Sequence, residues 1–206
     1  MARIEAVVFD VGETLVDESR AWAERAVRAG LTPLTLMGAL GAVIERGDDH
    51  RTVWDVVGVE APAGFSAITG DDLYPDALPC LRSMRAAGLA VGIAGNQPAG
   101  AEQQLRAAGF EADFIASSAA WGVAKPSSAF FDRVVVEAGR PAGAILYVGD
   151  RLDNDVLPAR AAGMRTAFIR RGPWGVIHAQ LPQAERADLR IESLAELLPA
   201  LERMNA

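Results

Sequence analysis

The chain has 206 residues, half of them hydrophobic, which is enough for one core domain and an inserted segment. Its net charge of −7 argues against nucleic acid and anionic membranes as partners, because both carry the same sign of charge. Cys80 is the only cysteine, which excludes a disulfide framework and a thiolate metal cluster. No apolar run approaches the roughly 18 residues of a membrane span, and the first residues predict a strand rather than a signal peptide, so we expect a cytoplasmic protein.

Short apolar runs alternate with helical patterns along most of the chain. The runs predict buried strands, because they are continuous and rich in β-branched residues, at 4–11, 89–96, 112–118, 144–150 and 166–170. Helices are predicted at 76–87, 100–108, 128–138, 156–162 and 193–204. This alternation predicts an α/β fold with a parallel sheet that is covered by helices on both faces.

One segment, residues 17–70, breaks the alternation. It contains no strand-like run, and helical patterns occupy residues 19–29, 33–45 and 51–57. We therefore predict a small all-helical domain inserted after the first strand, where it covers the strand ends. Residues 1–16 and 71–206 would then form the core domain.

Polar side chains follow the predicted strands at the points where these strands end. Asp10, Asn96 and Asp150 lie at strand ends, and Asp155 lies across one tight loop from Asp150. In parallel sheets, ligands bind at the carboxyl ends of the strands. Hard cations such as Mg²⁺ prefer carboxylate oxygens, and without a cation these clustered carboxylates would repel one another. The pattern therefore predicts a magnesium site formed by Asp10 and Asp150.

Lys125 is the only lysine in the chain, since every other basic side chain except two histidines is arginine. An ammonium is a compact point charge that can meet a phosphoryl oxygen or a carboxylate in a tight space. Lys125 also lies between two strand–helix units, in a loop that should reach the same sheet edge. Both features favour a functional role for Lys125 over a surface position.

Four motifs, in this order and at these spacings, resemble those of the haloacid dehalogenase superfamily, most of whose members are Mg²⁺-dependent phosphatases. The first motif reads Phe-Asp-Val-Gly-Glu-Thr-Leu. The four motifs occupy residues 9–15, 89–97, 125–126 and 149–155. The resemblance covers nearly the whole chain and implies a Rossmann-like core with a short helical cap inserted after the first motif.

The resemblance also implies a set of roles. A small phosphorylated molecule would be the substrate, and Asp10 would attack its phosphorus to form an aspartyl-phosphate. Mg²⁺ would be held by Asp10, Asp150 and the backbone carbonyl of Gly12, with Asp155 supporting the metal site. Lys125 would steady Asp10 and the transferring phosphoryl group. Charge stabilisation by a cation and an ammonium is the main work of phosphoryl transfer.

Two positions depart from the phosphatase pattern. Gly12 stands where the phosphatase members have a second aspartate that serves as general acid and base, and its loss should slow turnover by about 10²–10⁴-fold. Gly95 stands where they have a serine or threonine hydroxyl, which leaves a backbone N–H and the adjacent Asn96 to bind the phosphoryl group. Glu13 and Asp17 are candidates to carry protons instead, although a glutamate on a turn is more often solvated.

Two other interpretations stay open. One is cleavage of a carbon–halogen or carbon–phosphorus bond, because members with those activities also lack the second aspartate. The dehalogenases typically lack an aspartate at the place of Asp150, however, and a phosphonate hydrolase would be expected to offer a cap lysine, which residues 17–70 do not contain. The other is a non-catalytic protein that binds a phosphorylated ligand or a partner protein, which would explain the loss of side chains at Gly12 and Gly95.

Overall fold

The computed structural model describes residues 3–64 and 66–205. Within them, six strands form one sheet in which every neighbouring pair is parallel, in the order β3-β2-β1-β4-β5-β6. The strands are β1 (Ala6–Phe9), β2 (Ala90–Gly95), β3 (Phe114–Ser117), β4 (Ile145–Gly149), β5 (Arg165–Ile169) and β6 (Leu189–Ile191). The predicted α/β fold with a Rossmann-like parallel sheet is confirmed.

The part of the chain that the structure describes contains ten α-helices. They are α1 (Ser19–Arg28), α2 (Pro33–Glu45), α3 (Val53–Val57), α4 (Ala77–Ala86), α5 (Ala101–Ala107), α6 (Ser118–Trp121), α7 (Ser128–Ala138), α8 (Leu157–Ala161), α9 (Gly172–His178) and α10 (Leu197–Asn205). Helices α1 to α3 follow β1 with no strand among them, as predicted. Among these described helices no single one is both long and apolar enough to cross a membrane; α1 and α2 meet that test only as a pair bent by 111°.

The side chains of β1 enter two separate apolar cores, because successive residues of a strand point to opposite faces of the sheet. Val7 and Phe9 lie in the core that α4, α5 and α10 cover, and Ala6 and Val8 lie in the core that α7 and α8 cover. All four side chains are buried, which explains why this strand has a continuous apolar sequence instead of an alternating one. The end of β1 is therefore fixed from both sides.

The helices after β1 have an apolar core of their own, to which Trp22 and Trp54 contribute. Helix α2 starts sharply because the side chain of Thr32 caps its first turn and Pro33 occupies a first-turn position, where no N–H is needed. Trp174, from α9 near the strand ends, belongs to the same core, and its ring centroid lies 6.4 Å from that of Trp22. Aromatic packing thus joins the helical segment to the sheet side of the molecule.

Strands β1 and β4 lie side by side at the point where the strand order reverses direction. Phe9 is in register with Val148, and the backbone N–H of Asp10 donates a hydrogen bond of 2.9 Å to the Val148 carbonyl. Asp10 and Asp150 therefore emerge at the same edge of the sheet. In α/β proteins such a reversal opens a crevice at the carboxyl ends of the strands, where ligands bind.

Three observed elements, α6, α9 and β6, go beyond those that the sequence patterns predict. Helix α6 has 4 residues and β6 has 3, which is too short to show a period. Helix α9 begins Gly-Pro-Trp-Gly, a composition typical of a loop, but proline fits the first turn of a helix because the N–H it lacks would be unpaired there. Helix α9 is important for the candidate site because it places Trp174 near the strand ends.

Asp76, just before α4, ties together segments that are distant in sequence. Its Oδ2 accepts hydrogen bonds from Arg171 Nη2 at 2.6 Å, Ser193 Oγ at 2.7 Å and the Leu194 backbone N–H at 3.0 Å. Arg171 also donates to the Thr14 carbonyl at 2.9 Å, in the loop that follows Asp10. Burial alone would raise the pKa of Asp76, but these hydrogen bonds, led by that from Arg171, outweigh it and hold the pKa below its ordinary value.

We predict that Asp76→Ala lowers the free energy of unfolding by about 1–2 kcal/mol at neutral pH, because three donors lose their acceptor. Since the folded-state pKa is lowered, this contribution is present above the ordinary pKa of 3.8 and fades as the pH falls through the folded-state pKa. Urea denaturation at several pH values should show that the difference in free energy of unfolding between the wild type and Asp76→Ala becomes smaller at acid pH. Asp132→Ala, an exposed aspartate on α7, is the matched control; a difference independent of pH would contradict the prediction.

Candidate active site

Lys125 lies at the centre of a buried group of charges at the strand ends. Its Nζ is 2.6 Å from Asp10 Oδ1 and 2.5 Å from Asp155 Oδ1, and the Lys125 side chain is 1% exposed. Burial alone would lower the pKa of Lys125, but the charges of Asp10 and Asp155 outweigh it and hold the pKa well above its ordinary value. The ammonium therefore stays charged and fixes one oxygen of each carboxylate.

The loop that carries Lys125 is held by Asn96, at the end of β2. The Lys125 backbone N–H donates to Asn96 Oδ1 at 2.8 Å, and Asn96 Nδ2 donates to the Lys125 carbonyl at 3.0 Å. The Asn96 amide, which the sequence suggested as a phosphoryl ligand, therefore pairs with the Lys125 backbone. This pairing orients the lysine toward Asp10.

Asp155 lies in a π-helical turn, Leu152–Val156, that follows β4. Its Oδ2 accepts a hydrogen bond of 3.0 Å from the Arg151 backbone N–H, so both of its oxygens are engaged. Burial raises the pKa of Asp155 to about 6, although Lys125 acts in the opposite direction. Gly149 permits this turn, because a Cβ atom there would lie only 2.5 Å from Asp155 Cγ.

Asp10, Asp150 and Asp155 each offer an oxygen within 4.8 Å of the others, and all three are buried. Asp150 Oδ2 is buried without a hydrogen-bond partner among the described residues. Burial, and then the charges of Asp155 and Asp10, raise the pKa of Asp150 well above its ordinary value. An unpartnered carboxylate oxygen beside two other carboxylates fits a hard divalent cation such as Mg²⁺.

Gly95 lies directly against the Asp10 carboxylate. A Cβ atom at Gly95 would be 2.5 Å from Asp10 Oδ1 and 3.2 Å from Val11 Cγ2. A side chain at residue 95 would therefore require the Asp10 carboxylate to shift from its present position. The missing side chain at Gly95 and the position of Asp10 are therefore related, because the Asp10 carboxylate lies in the space that this side chain would need.

The Glu18 carboxyl group lies beside Gly12, the position at which the sequence lacks the second aspartate of the phosphatase pattern. A Cβ atom at Gly12 would lie 2.5 Å from Glu18 Oε1 and 2.7 Å from Glu18 Cδ. Burial, and then the charges of Glu13 and Asp10, raise the pKa of Glu18 to about 7. Glu18, and not the candidates Glu13 and Asp17, is thus the carboxyl group that lies beside Gly12. Sequence spacing gives no signal for Glu18, because only the turn after Asp10 brings it back to the strand end.

Glu13 and Asp17, the two candidate substitutes from the sequence, are engaged elsewhere. Glu13 is buried rather than solvated; its Oε1 accepts from the Glu18 backbone N–H at 3.0 Å and its Oε2 accepts from Tyr74 Oη at 2.6 Å. Asp17 Oδ1 accepts from the Ser19 backbone N–H at 2.8 Å. Both carboxylates therefore hold the start of α1 in place.

An open cavity of about 1070 Å³ lies above these charges, between the strand ends and the helices α1 and α3. Asp10, Lys125 and Asp150 are part of its lining, as is Glu18. Its walls carry aromatic rings with cations over them, since the Arg151 guanidinium lies 4.8 Å from the Trp174 ring centroid and the Arg25 guanidinium 4.9 Å from that of Trp54. Carboxylates such as Asp48, Asp55 and Glu60 also line the walls. The cavity is large enough to admit a small ligand to the charged floor.

Comparison with known sequences identifies the family of this chain. A family model described as haloacid dehalogenase-like hydrolase matches residues 4–163, so the chain belongs to that family and is a hydrolase. The predicted resemblance is confirmed. A curated relative, the glyceraldehyde 3-phosphate phosphatase of Methanopyrus kandleri, is 30% identical over an alignment that covers 83% of this chain and 86% of that protein.

Solved structures share the fold. The HAD phosphatase of Thermococcus onnurineus matches 96% of this chain and 98% of its own, with a TM-score of 0.64 and 21% identity. The L-2-haloacid dehalogenase RSc1362 matches 98% of this chain and 100% of its own, with a TM-score of 0.71 and 21% identity. At such identities the likeness shows the fold alone, and phosphatases and dehalogenases share that fold.

We predict that Lys125→Met lowers the free energy of unfolding by about 3–5 kcal/mol in metal-free buffer, because it leaves Asp10 and Asp155 buried without their cation. Chemical denaturation measures this change. Arg133→Met is the matched control, since it removes a half-exposed cation that pairs with Glu137 on the surface of α7 and should cost less than about 1 kcal/mol. Equal losses in the two variants would contradict the prediction.

Proposed function

We propose that this chain is a Mg²⁺-dependent phosphatase that hydrolyses a small phosphorylated metabolite, in the expected cytoplasmic setting, through an aspartyl-phosphate on Asp10. One observation carries the proposal. The Asp10 carboxylate is held by Lys125 at 2.6 Å, in the same buried group as the unpartnered oxygen of Asp150. The named activity of the Methanopyrus relative, a phosphatase of a small sugar phosphate, supports this substrate class.

Asp10 and Asp150 would hold the metal ion directly, together with the backbone carbonyl of Gly12. Asp155 would support the site from behind, because its oxygens already accept hydrogen bonds from Lys125 and the Arg151 backbone. When bound, Mg²⁺ supplies positive charge to the oxygens of the phosphoryl group.

The chain's own residues would perform the transfer. An oxygen of Asp10 forms a bond to phosphorus while the bond to the ester oxygen breaks; water then releases phosphate from Asp10. Lys125 fixes the orientation of Asp10 and adds a positive charge close to the transferring group. The backbone N–H of Gly95 and the segment around Asn96 would line the phosphoryl site.

The charge of the site favours this reaction over carbon–halogen cleavage. Lys125 offsets only part of the charge of the three buried carboxylates, and a divalent cation would offset the rest, whereas displacement of a halide requires no metal ion. For carbon–phosphorus cleavage, residues 17–70 offer no lysine that could form a Schiff base. A binding protein without activity has little need of a nucleophile beside a metal site. The next experiment separates this binding protein from the phosphatase.

We predict that the wild-type protein releases phosphate from phosphate esters only with Mg²⁺, and that Asp10→Asn abolishes the release because the amide is a poor nucleophile. A screen of phosphate esters measures the release, and trapping with beryllium fluoride in the presence of Mg²⁺ should give an adduct at Asp10. Phosphate release that survives in Asp10→Asn would overturn the mechanism. Neither release nor an adduct in the wild-type protein would favour the binding protein.

We predict that Mg²⁺ raises the thermal stability of the wild-type protein and not that of Asp150→Asn, because the neutral amide removes one charged ligand. At a hundredfold excess over Kd, binding should add about 2.7 kcal/mol to the stability of the wild-type protein. Scanning calorimetry with and without Mg²⁺ measures this stabilisation and requires no substrate. Asp153→Asn is the matched control, as it changes an exposed aspartate of the same loop that pairs with Arg151; equal Mg²⁺ responses in all three proteins would exclude the site.

A further inference from the structure

We propose that Glu18 is the proton donor and acceptor of this site, an inference that rests on the proposed phosphatase activity. An alkyl phosphate leaves as an alcohol only when its oxygen receives a proton, and water attacks the aspartyl-phosphate more readily when a base takes its proton. The first motif offers no side chain for this at Gly12. Glu18, from the start of the helical segment, brings a carboxyl group into that place.

The geometry around Gly12 carries the assignment. The Glu18 carboxyl group lies where the side chain of residue 12 would begin, with Oε1 2.5 Å and Oε2 3.2 Å from the ideal Cβ position. Glu18 and Asp10 line the same cavity, and the charge of Asp10 acts on the Glu18 carboxyl group, so one ligand can reach both. The backbone conformation of Gly12 is not left-handed and does not by itself require a glycine; the Glu18 carboxyl group lies in the space that a side chain there would take.

The other ionisable groups near Asp10 are committed to the protein. Lys125 donates to Asp155 and pairs with Asp10, and Asp155 also accepts from the Arg151 backbone. Glu13 is hydrogen-bonded through both of its oxygens. Among the described residues beside Asp10, Glu18 is a carboxyl group that lies outside the cation cluster and is not engaged by these partners.

Contacts at the start of α1 position Glu18. Its backbone N–H donates to Glu13 Oε1 at 3.0 Å, and Glu13 is fixed in turn by Tyr74. Glu13 adopts a left-handed conformation with φ of 53°, which turns the chain back toward the strand end. The indole of Trp22, one helical turn further on, acts to lower the pKa of the Glu18 carboxyl group. Through Glu13, the distant Tyr74 thus helps to fix the segment that carries Glu18.

The proton transfers balance over two steps. First, an Asp10 oxygen bonds to phosphorus, the bond between phosphorus and the ester oxygen breaks, and protonated Glu18 gives its proton to that oxygen. Second, the oxygen of water bonds to phosphorus, ionised Glu18 accepts the water proton, and the bond between phosphorus and Asp10 breaks. The alcohol and inorganic phosphate leave, and both carboxyl groups return to their starting states.

The test compares Glu18→Gln with the wild-type protein on 4-nitrophenyl phosphate and glycerol phosphate, with Mg²⁺ present. We expect kcat/KM for glycerol phosphate to fall by about 10²–10⁴-fold, and that for 4-nitrophenyl phosphate to fall far less, because nitrophenolate leaves without a proton. Rapid mixing should give a burst of nitrophenolate equal to the enzyme concentration, since water then lacks its proton acceptor. Glu24→Gln, the same change at an exposed position of α1, should behave as the wild type.

A second pair of variants keeps the proposal falsifiable if Glu18→Gln folds poorly. Gly12→Asp combined with Glu18→Ala moves the carboxyl group to residue 12, and should recover most of the glycerol phosphate hydrolysis that Glu18→Ala alone loses. A folded double variant without recovery would overturn the proposal. Equal losses of kcat/KM on both esters in Glu18→Gln, without a burst, would also overturn the proposal. This outcome would leave the proposed phosphatase function intact. Absence of phosphate release by the wild-type protein from any ester would overturn both.

Discussion

The ammonium of Lys125, buried between the carboxylates of Asp10 and Asp155, is the interaction on which the rest of the site depends. Removing an ammonium from water costs several kcal/mol, and contacts of 2.5–2.6 Å to two carboxylates offset that cost. Lys125 can be buried only when the end of β1, its own loop and the turn after β4 meet in one arrangement. Asn96 adds the end of β2 through its two hydrogen bonds to the Lys125 backbone.

Three glycines make room for carboxylates in this arrangement. A Cβ atom would come within 2.5 Å of Glu18 at Gly12, of Asp10 at Gly95 and of Asp155 at Gly149. At both departures from the phosphatase pattern, Gly12 and Gly95, a carboxyl group therefore occupies the space beside the glycine where a side chain would begin. At Gly12, a side chain of the motif and the Glu18 carboxyl group from the helical segment cannot fill the same volume.

The main elements could be predicted from sequence where burial is uniform. Strand β1 is buried on both faces, so its apolar run is continuous, and α2 and α7 have the bounds that their patterns predict. The short β6 and the Gly-Pro start of α9 gave no such pattern, and this matters because α9 brings Trp174 into the core of the helical segment. Sequence periodicity identifies elements that are long and evenly buried. The conformation of a short element depends instead on the elements that pack against it.

The sequence by itself determined the fold class, the family, and which charged residues follow the strands, because parallel strands bring Asp10 and Asp150 to one edge of the sheet. Only the tertiary structure decided what lies beside Gly12. Glu18 reaches that place because Glu13 is held by Tyr74 and the Asp17 backbone N–H donates to the Asp72 carbonyl at 2.7 Å. These contacts join residues more than fifty positions apart in the sequence, and a local sequence pattern does not indicate partners at that separation.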